Sequence, residues 1–97
     1  MRAELAATVS QVIEMLVKKN KDYDNSYDKL RDEYGTIAFH VRLSDKIHRL
    51  KQVDKAGDSV GETSIDTIKD IIGYCLLELR YRENKVILMP TKKGDAT

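Results

Sequence analysis

Three long stretches of this chain carry apolar residues at steps of three and four, which is the spacing of one face of an α-helix. They run over about Arg2–Lys19, Thr36–Val53 and Thr63–Glu83. The one proline, Pro90, follows the last of them, so no proline interrupts any of these helices. The pattern therefore predicts an all-α fold, a helical bundle with three long helices.

A polar, tyrosine-rich stretch separates the first two long helices. Its turn-forming residues predict a loop over Asn20–Asn25. A short helix over Ser26–Tyr34 is expected next, with Gly35 as its C-cap. A second loop is predicted over Ala56–Gly61, before the last long helix, and an extended segment over Val86–Met89, after it. The bundle thus has three long helices plus a short one.

The last long helix is apolar on two sides. The first stripe contains Ile65, Ile68, Ile72, Cys75, Leu76 and Leu79. The second stripe contains Asp66, Asp70, Gly73, Tyr74, Leu77 and Tyr81. A helix that is apolar on two sides is buried on two sides, and a chain of 97 residues is too small to cover both. We expect a homo-oligomer, a dimer or higher, in which this helix packs on its own chain and on a second subunit.

Gly73 costs about 1 kcal/mol relative to alanine inside a helix. Its place on the second stripe predicts the close approach of another backbone or of a ligand.

Composition excludes several classes of protein. Lysine and arginine number 17 and acids 16, so the chain lacks the basic excess of a nucleic-acid-binding protein. Its one cysteine, Cys75, is expected to be a small core residue, and the absence of a disulfide framework fits a cytoplasmic location. No apolar run reaches the length of a signal peptide or membrane span. We therefore expect one domain over residues 1–90, no membrane partner and a disordered tail over 91–97.

An acidic row marks the start of the last helix. Glu62, Asp66 and Asp70 are spaced four apart, so they share one helix face at about 5–6 Å from neighbour to neighbour. Such a row is self-repelling unless a cation lies between the acids, and Mg²⁺ prefers carboxylate oxygens. The alternative is a solvated helix start, with acids at the positive end of the dipole and Thr63 paired with Asp66 in a capping box. That alternative leaves Asp70, two turns in, unexplained.

A cationic cluster lies on the second long helix, where four charged residues share neighbouring faces: Arg42, Asp45, Lys46 and Arg49. One interpretation is that the two arginines form surface ion pairs with Asp45, which lies between them. The other is that they bind phosphate oxygens by bidentate hydrogen bonds. In the second case Asp45 completes the metal site.

Further possible ligands lie around the first loop. Lys19, Asn20, Lys21 and Tyr23 could bind a phosphate and a base after the first helix. No glycine-rich phosphate loop is present in the sequence.

In order along the chain, these motifs resemble the nucleotide modification associated domain, type one, of phages and bacteria. The motifs are Lys19-Asn20-x-Asp22-Tyr23, Arg42-Leu43-x-Asp45-Lys46-x-x-Arg49-Leu50, Glu62 with Asp66-Thr67-x-x-Asp70, and Gly73-Tyr74. The resemblance covers residues 9 to about 80. That domain is similar in turn to the all-α nucleoside triphosphate pyrophosphatases, which include MazG-like proteins and dimeric dUTPases. The resemblance implies an oligomeric helical core, Mg²⁺ held by helix carboxylates, and cleavage of a nucleoside triphosphate to monophosphate and pyrophosphate.

The resemblance also implies roles for individual residues. Asp66 and Asp70, with Asp45 or Glu62, would hold Mg²⁺ and lower the pKa of an attacking water. Asn20 and Tyr23 would contact the base or sugar. The triphosphate would be neutralised by Lys19, Lys21, Arg42 and Arg49, with Lys46 beside them.

The chain departs from the pyrophosphatase pattern in its acids. Those enzymes usually carry Glu-Glu-x-x-Glu on one helix and Glu-x-x-Asp on the next, whereas this chain offers only Asp45 and then the acidic row. Fewer acids are typical of weaker metal binding or of binding without hydrolysis. Two alternatives therefore remain beside the hydrolase: a non-catalytic nucleotide sensor or sponge, and a purely structural helical adaptor.

Overall fold

A computed structural model of the chain describes residues 1–22, 25–56 and 63–88. These residues form four helices and no strand: α1 (Arg2–Asp22), α2 (Ser26–Tyr34), α3 (Ile37–Ala56) and α4 (Ser64–Leu88). The prediction of an all-α fold with three long helices and a short one is confirmed. None of the helices in the described part of the chain has the length and apolar content needed to cross a membrane.

Three helices continue past the ends that the sequence predicted, and α3 does so by reaching Ala56, the first residue of the predicted second loop. α1 continues to Asp22, so the loop predicted from Asn20 was wrong over its first three residues. α4 continues to Leu88, so the predicted end at Glu83 and the extended segment over 86–88 were also wrong. None of the three added stretches contains a glycine or proline to end the helix. The predicted loop over 57–61, Met89 and the predicted tail over 91–97 lie outside the described residues.

The short helix α2 follows the prediction. The Gly35 backbone has φ 74°, in the left-handed region, and its N–H donates to the carbonyl of Arg31 at 2.9 Å. Glycine adopts this conformation without the steric cost of a Cβ, as expected for a C-cap. The resulting tight turn leads directly into α3, so that α2 packs against α3.

The start of α4 is a reciprocal capping box, as its spacing predicted. The Asp66 backbone N–H donates to Thr63 Oγ1 at 3.0 Å, and the Thr63 N–H donates to Asp66 Oδ2 at 3.5 Å. These bonds satisfy two of the backbone donors that a helix start leaves unpaired.

Replacing Thr63 with alanine removes the side-chain acceptor of this box. We expect the free energy of unfolding to fall by about 1 kcal/mol, measured by urea denaturation. Thr63→Ser keeps the hydroxyl and is expected to stay within a few tenths of a kcal/mol of the wild type. Equal losses in the two variants would show that the methyl group, and not the cap, is responsible.

α4 is the central helix, against which both α1 and α3 pack. Its buried face carries Thr67, Gly73, Glu78 and Tyr81. The purely apolar stripe is only partly covered within the chain, since Ile65 is 63% exposed and Leu79 is 55% exposed, whereas Ile72 and Leu76 are half-buried. Of the buried residues, Gly73 and Tyr81 belong to the second predicted stripe, whereas Thr67 and Glu78 belong to neither stripe. Cys75, expected in the core, is half-buried.

α1, like α4, leaves much of its apolar surface exposed. Among its apolar residues at steps of three and four, Val12 is buried and Leu16 is half-buried, whereas Leu5, Val9 and Ile13 are exposed. Gly73 explains how closely α1 approaches α4, because a Cβ at this position would lie 2.9 Å from Leu16 Cδ2. The close approach at Gly73 is thus made by a side chain of α1, and the predicted alternatives of a backbone or a ligand were wrong.

Candidate functional site

A cavity of about 430 Å³ opens between the four helices. Its polar lining comprises Lys19, Ser26, Arg42, Lys46 and Asp70. Two tyrosines, Tyr27 and Tyr74, form its aromatic part. Its aliphatic lining comprises Met15, Leu16, Leu30 and Leu77. The volume lies within the range of about 300–1,000 Å³ that is typical of small-molecule sites.

Asp70 is the electrostatic centre of the cavity. Its carboxylate accepts from Lys46 Nζ of α3 at 3.0 Å and from Lys19 Nζ of α1 at 3.5 Å. A third cation, Arg42, donates from Nη1 to the Tyr74 hydroxyl at 3.4 Å. The lining thus contains three cations and one carboxylate, which is an excess of positive charge.

The structure brings together four of the site residues that the sequence predicted: Lys19, Arg42, Lys46 and Asp70. Among the described residues, Asp45, Arg49 and Asp66 do not line this cavity. Tyr23 and Glu62 lie outside the described residues, as do the side chains of Asn20 and Lys21.

Helix geometry explains why the neighbouring residues are absent from the lining. Arg49 lies seven residues beyond Arg42, about 10 Å further along the axis of α3. Asp45 is exposed, since it precedes Lys46 and is rotated by about 100° around the helix. Asp66 is part of the capping box at the start of α4. Sharing a helix face was therefore not sufficient to place a residue in the cavity.

The described residues do not assemble a magnesium site. Asp70 is engaged by two ammonium groups, and no three histidine, cysteine, aspartate or glutamate side chains in the described ranges lie close enough together to hold a metal ion. The acidic-row site includes Glu62, which lies outside those ranges. It stays a prediction.

The sequence did not identify the tyrosine wall of the cavity. The rings of Tyr27 and Tyr74 lie 6.3 Å apart between centroids and are tilted by 34°. The Tyr27 hydroxyl donates to Glu78 Oε1 at 2.6 Å. Burial and the carboxylate of Glu78 raise the pKa of Tyr27 well above its usual value, so the hydroxyl keeps its proton and the hydrogen bond.

Glu78 is the centre of a buried polar cluster behind that wall. Only 3% of the residue is exposed. The Arg31 guanidinium donates to both carboxylate oxygens, Nε to Oε1 at 2.8 Å and Nη2 to Oε2 at 3.0 Å, and Arg82 Nε also donates to Oε2. Burial alone raises the pKa of Glu78, but the hydrogen bonds from Arg31, Tyr27 and Arg82 outweigh it and lower the pKa to about 2.

A single acid within the apolar run Cys75-Leu76-Leu77-Glu78-Leu79 was the available sequence signal for this cluster. A buried carboxylate of this kind requires a paired cation. The partner, Arg31, is separated from Glu78 by 47 residues. It lies on the acidic helix α2, whose polar sequence predicts that an arginine is exposed.

Fold and cavity together define a small all-α domain with a cationic pocket that is walled by tyrosines. The sequence profile of the family described as nucleotide modification associated domain 1 matches residues 19–79, and the chain belongs to this family. No curated protein and no solved structure matches the chain. The wider grouping with MazG-like pyrophosphatases stays a prediction.

Proposed function

We propose that this chain is a nucleotide-binding domain that holds the polyphosphate of a (deoxy)nucleoside triphosphate, or of a modified nucleotide, in the cavity between its helices. The observation that carries the proposal is the convergence of Lys19, Arg42 and Lys46 on a cavity with one carboxylate. The family description, which associates the domain with nucleotide modification, supports the same ligand class.

The charge arrangement favours phosphate over a neutral ligand. Asp70 neutralises only part of the positive charge in the lining, and its carboxylate lies where ligand oxygens would meet the two ammonium groups. Arg42 adds a planar guanidinium, which binds phosphate oxygens in a fork. A ligand with several charged oxygens can engage all three cations at once.

The hydrolase form of the proposal uses the predicted metal site. A nucleoside triphosphate would be cleaved to monophosphate and pyrophosphate, with Mg²⁺ supplying charge neutralisation and an activated water when bound. Asp70 would have to exchange its ammonium partners for the metal, together with Asp66 and Asp45 or Glu62. The pairing of Asp70 with two lysines favours the second candidate, a non-catalytic nucleotide sensor or sponge.

One assay separates these functions. The protein is incubated with a panel of ribo- and deoxynucleoside triphosphates, with Mg²⁺ or with EDTA, and products and retained ligand are resolved by chromatography. Mg²⁺-dependent release of pyrophosphate supports the hydrolase, and retention without turnover supports the sensor or sponge. A panel that is neither retained nor cleaved overturns the proposed function.

Asp70→Asn distinguishes a counter-charge from a metal ligand. In EDTA we expect affinity for inorganic tripolyphosphate to rise at least threefold, because the substitution removes the carboxylate that competes for Lys19 and Lys46. Glu33→Gln removes the same charge from an exposed position outside the cavity and serves as the control. A metal-ligand role predicts the opposite, loss of Mg²⁺-dependent binding or turnover in Asp70→Asn with no gain in EDTA.

We also propose that the domain functions as a homo-oligomer. The exposed apolar residues form stripes along two helices and include Leu5, Val9, Ile13 and Val17 of α1, with Ile65, Ile68 and Leu79 of α4. The formal net charge of +1 gives two copies little reason to repel each other. A second copy is therefore the partner that best fits these stripes.

Light scattering at micromolar concentration is expected to give the mass of two or more copies of the 11.1 kDa chain. Ile13→Glu places a charge in the α1 stripe and is expected to shift the protein towards the monomer. Glu14→Lys, at the next exposed position, is the control for a charge change on α1. A monomeric wild-type protein would contradict the proposal.

A further inference from the structure

We propose that the half-buried ring of Tyr74 is the surface on which the base of the nucleotide stacks, that the buried ring of Tyr27 supports it from behind, and that Glu78 is the positioning residue that holds Tyr27 in place. The inference rests on the proposed function, because it assumes that the cations of the same cavity bind the polyphosphate. It adds the part of the ligand that those cations cannot recognise.

The two rings form one wall and not a slot. Stacking a base between two parallel rings requires a gap of about 7 Å, twice the usual contact distance between carbon atoms. The centroids of Tyr27 and Tyr74 are only 6.3 Å apart and the rings are tilted by 34°. A planar ligand therefore lies against the wall from the cavity side.

The wall lies next to the cations at a distance that suits a nucleotide. Tyr74 follows Asp70 by four residues on α4, so the two residues are neighbours on one helix face, with their Cβ atoms about 5–6 Å apart. Arg42 connects the two regions, since its Nη1 donates to the Tyr74 hydroxyl at 3.4 Å. A base on Tyr74 would thus leave its phosphates beside Lys19 and Lys46.

The position of Tyr27 is fixed before any ligand arrives. The residue is only 6% exposed, and its hydroxyl is bound to Glu78 at 2.6 Å. Arg31 in turn holds both oxygens of Glu78. A binding surface that is already ordered does not have to be ordered by the ligand, and this preserves affinity.

The wall also sets the class of ligand. Every nucleobase presents a π-face, so stacking on tyrosine recognises the presence of a ring with little regard to which base it is. The domain should therefore prefer nucleoside triphosphates over a ring-free polyphosphate of similar charge.

The test compares ATP, GTP, CTP and UTP with inorganic tripolyphosphate by calorimetric titration in EDTA. The wild-type protein is expected to bind the nucleotides about tenfold more tightly than tripolyphosphate. Tyr74→Leu is expected to abolish this preference and leave tripolyphosphate affinity within twofold. Tyr74→Phe, which keeps the ring and removes only the hydroxyl, is expected to retain it.

Tyr27→Phe tests the positioning role, since it keeps the ring and removes the bond to Glu78. The nucleotide preference is expected to shrink at least threefold while tripolyphosphate affinity stays unchanged. Tyr34→Phe alters an exposed tyrosine of the same helix and is the control. An unchanged preference in Tyr27→Phe would overturn the role of Glu78.

The failures of the two proposals are distinguishable. Equal wild-type affinities for nucleotides and tripolyphosphate, or a Tyr74→Leu variant that loses both equally, would overturn the stacking wall and leave the phosphate site standing. A wild-type protein that binds neither kind of ligand would overturn the proposed function itself.

Discussion

Replacing Glu78 with glutamine is expected to lower the free energy of unfolding by about 3–5 kcal/mol, the usual cost of removing one partner of a buried ion pair. Glutamine has nearly the same shape, so the loss reports charge and hydrogen bonding. The variant leaves the buried guanidinium of Arg31, which is 8% exposed, without its carboxylate. Urea denaturation of both proteins at one fixed concentration measures the difference, because the stability of an oligomer, as proposed above, depends on concentration.

Two further variants show whether the pair is responsible. Glu83→Gln changes an exposed acid five residues further along α4 and is expected to stay within about 0.5 kcal/mol of the wild type. The double variant Arg31→Met with Glu78→Leu removes both charges and is expected to be more stable than Glu78→Gln. A Glu78→Gln protein as stable as the wild type would contradict the buried cluster.

The same pair predicts the response to acid. The pKa of Glu78 is lowered from 4.5 to about 2 in the folded chain, so the ionised form is stabilised by folding. Its contribution is fully present above pH 4.5 and is lost as the pH falls towards 2. Stability measured between these values should therefore fall less steeply in Glu78→Gln than in the wild type.

Replacing Lys46 with glutamate is expected to weaken nucleotide binding at least 100-fold, which corresponds to about 2.7 kcal/mol. Lys46 is half-buried in the cavity and makes the shorter of the two ion pairs with Asp70, at 3.0 Å. The substitution reverses a charge beside the ligand and adds a second carboxylate next to Asp70. Calorimetric titration with the nucleotide that the wild-type protein binds most tightly gives the change.

Lys51→Glu is the matched control, because it makes the same charge change at an exposed position of the same helix, outside the cavity. It is expected to bind within about threefold of the wild type, since solvent and salt screen distant surface charges. Equal losses in the two variants would mean that overall charge, and not the cavity, governs binding.

Local patterns in the sequence predicted the helices well. Apolar residues at steps of three and four predicted the three long helices, and Gly35 ended α2 where expected. The spacing of Thr63 and Asp66 predicted the capping box. These features depend on residues within one turn of each other. The ends of α1 and α4 were predicted too early, and the residues by which each helix continues contain no glycine or proline.

The site was only partly predictable, because it depends on how the helices pack. Lys19, Lys46 and Asp70 come from three helices, and the sequence identified all three as candidates. The sequence predicted that Asp70 shares a metal ion with neighbouring acids, whereas in the structure it pairs with lysines of two other helices. This pairing follows from the tertiary structure and has no local signal in the sequence. The bond between Tyr27 and Glu78 spans 51 residues and was missed for the same reason.

Methyl-labelled NMR spectroscopy tests most directly whether the cavity binds a nucleotide. Four methyl-bearing residues line it: Met15, Leu16, Leu30 and Leu77. Leu43 and Ile47 line a separate groove on α3 and report on binding elsewhere. Titration with a nucleoside triphosphate is expected to shift the methyl signals of the four cavity residues, with Leu43 and Ile47 unchanged. Shifts confined to Leu43 and Ile47, or no shifts at millimolar nucleotide, would contradict a nucleotide site between the four helices.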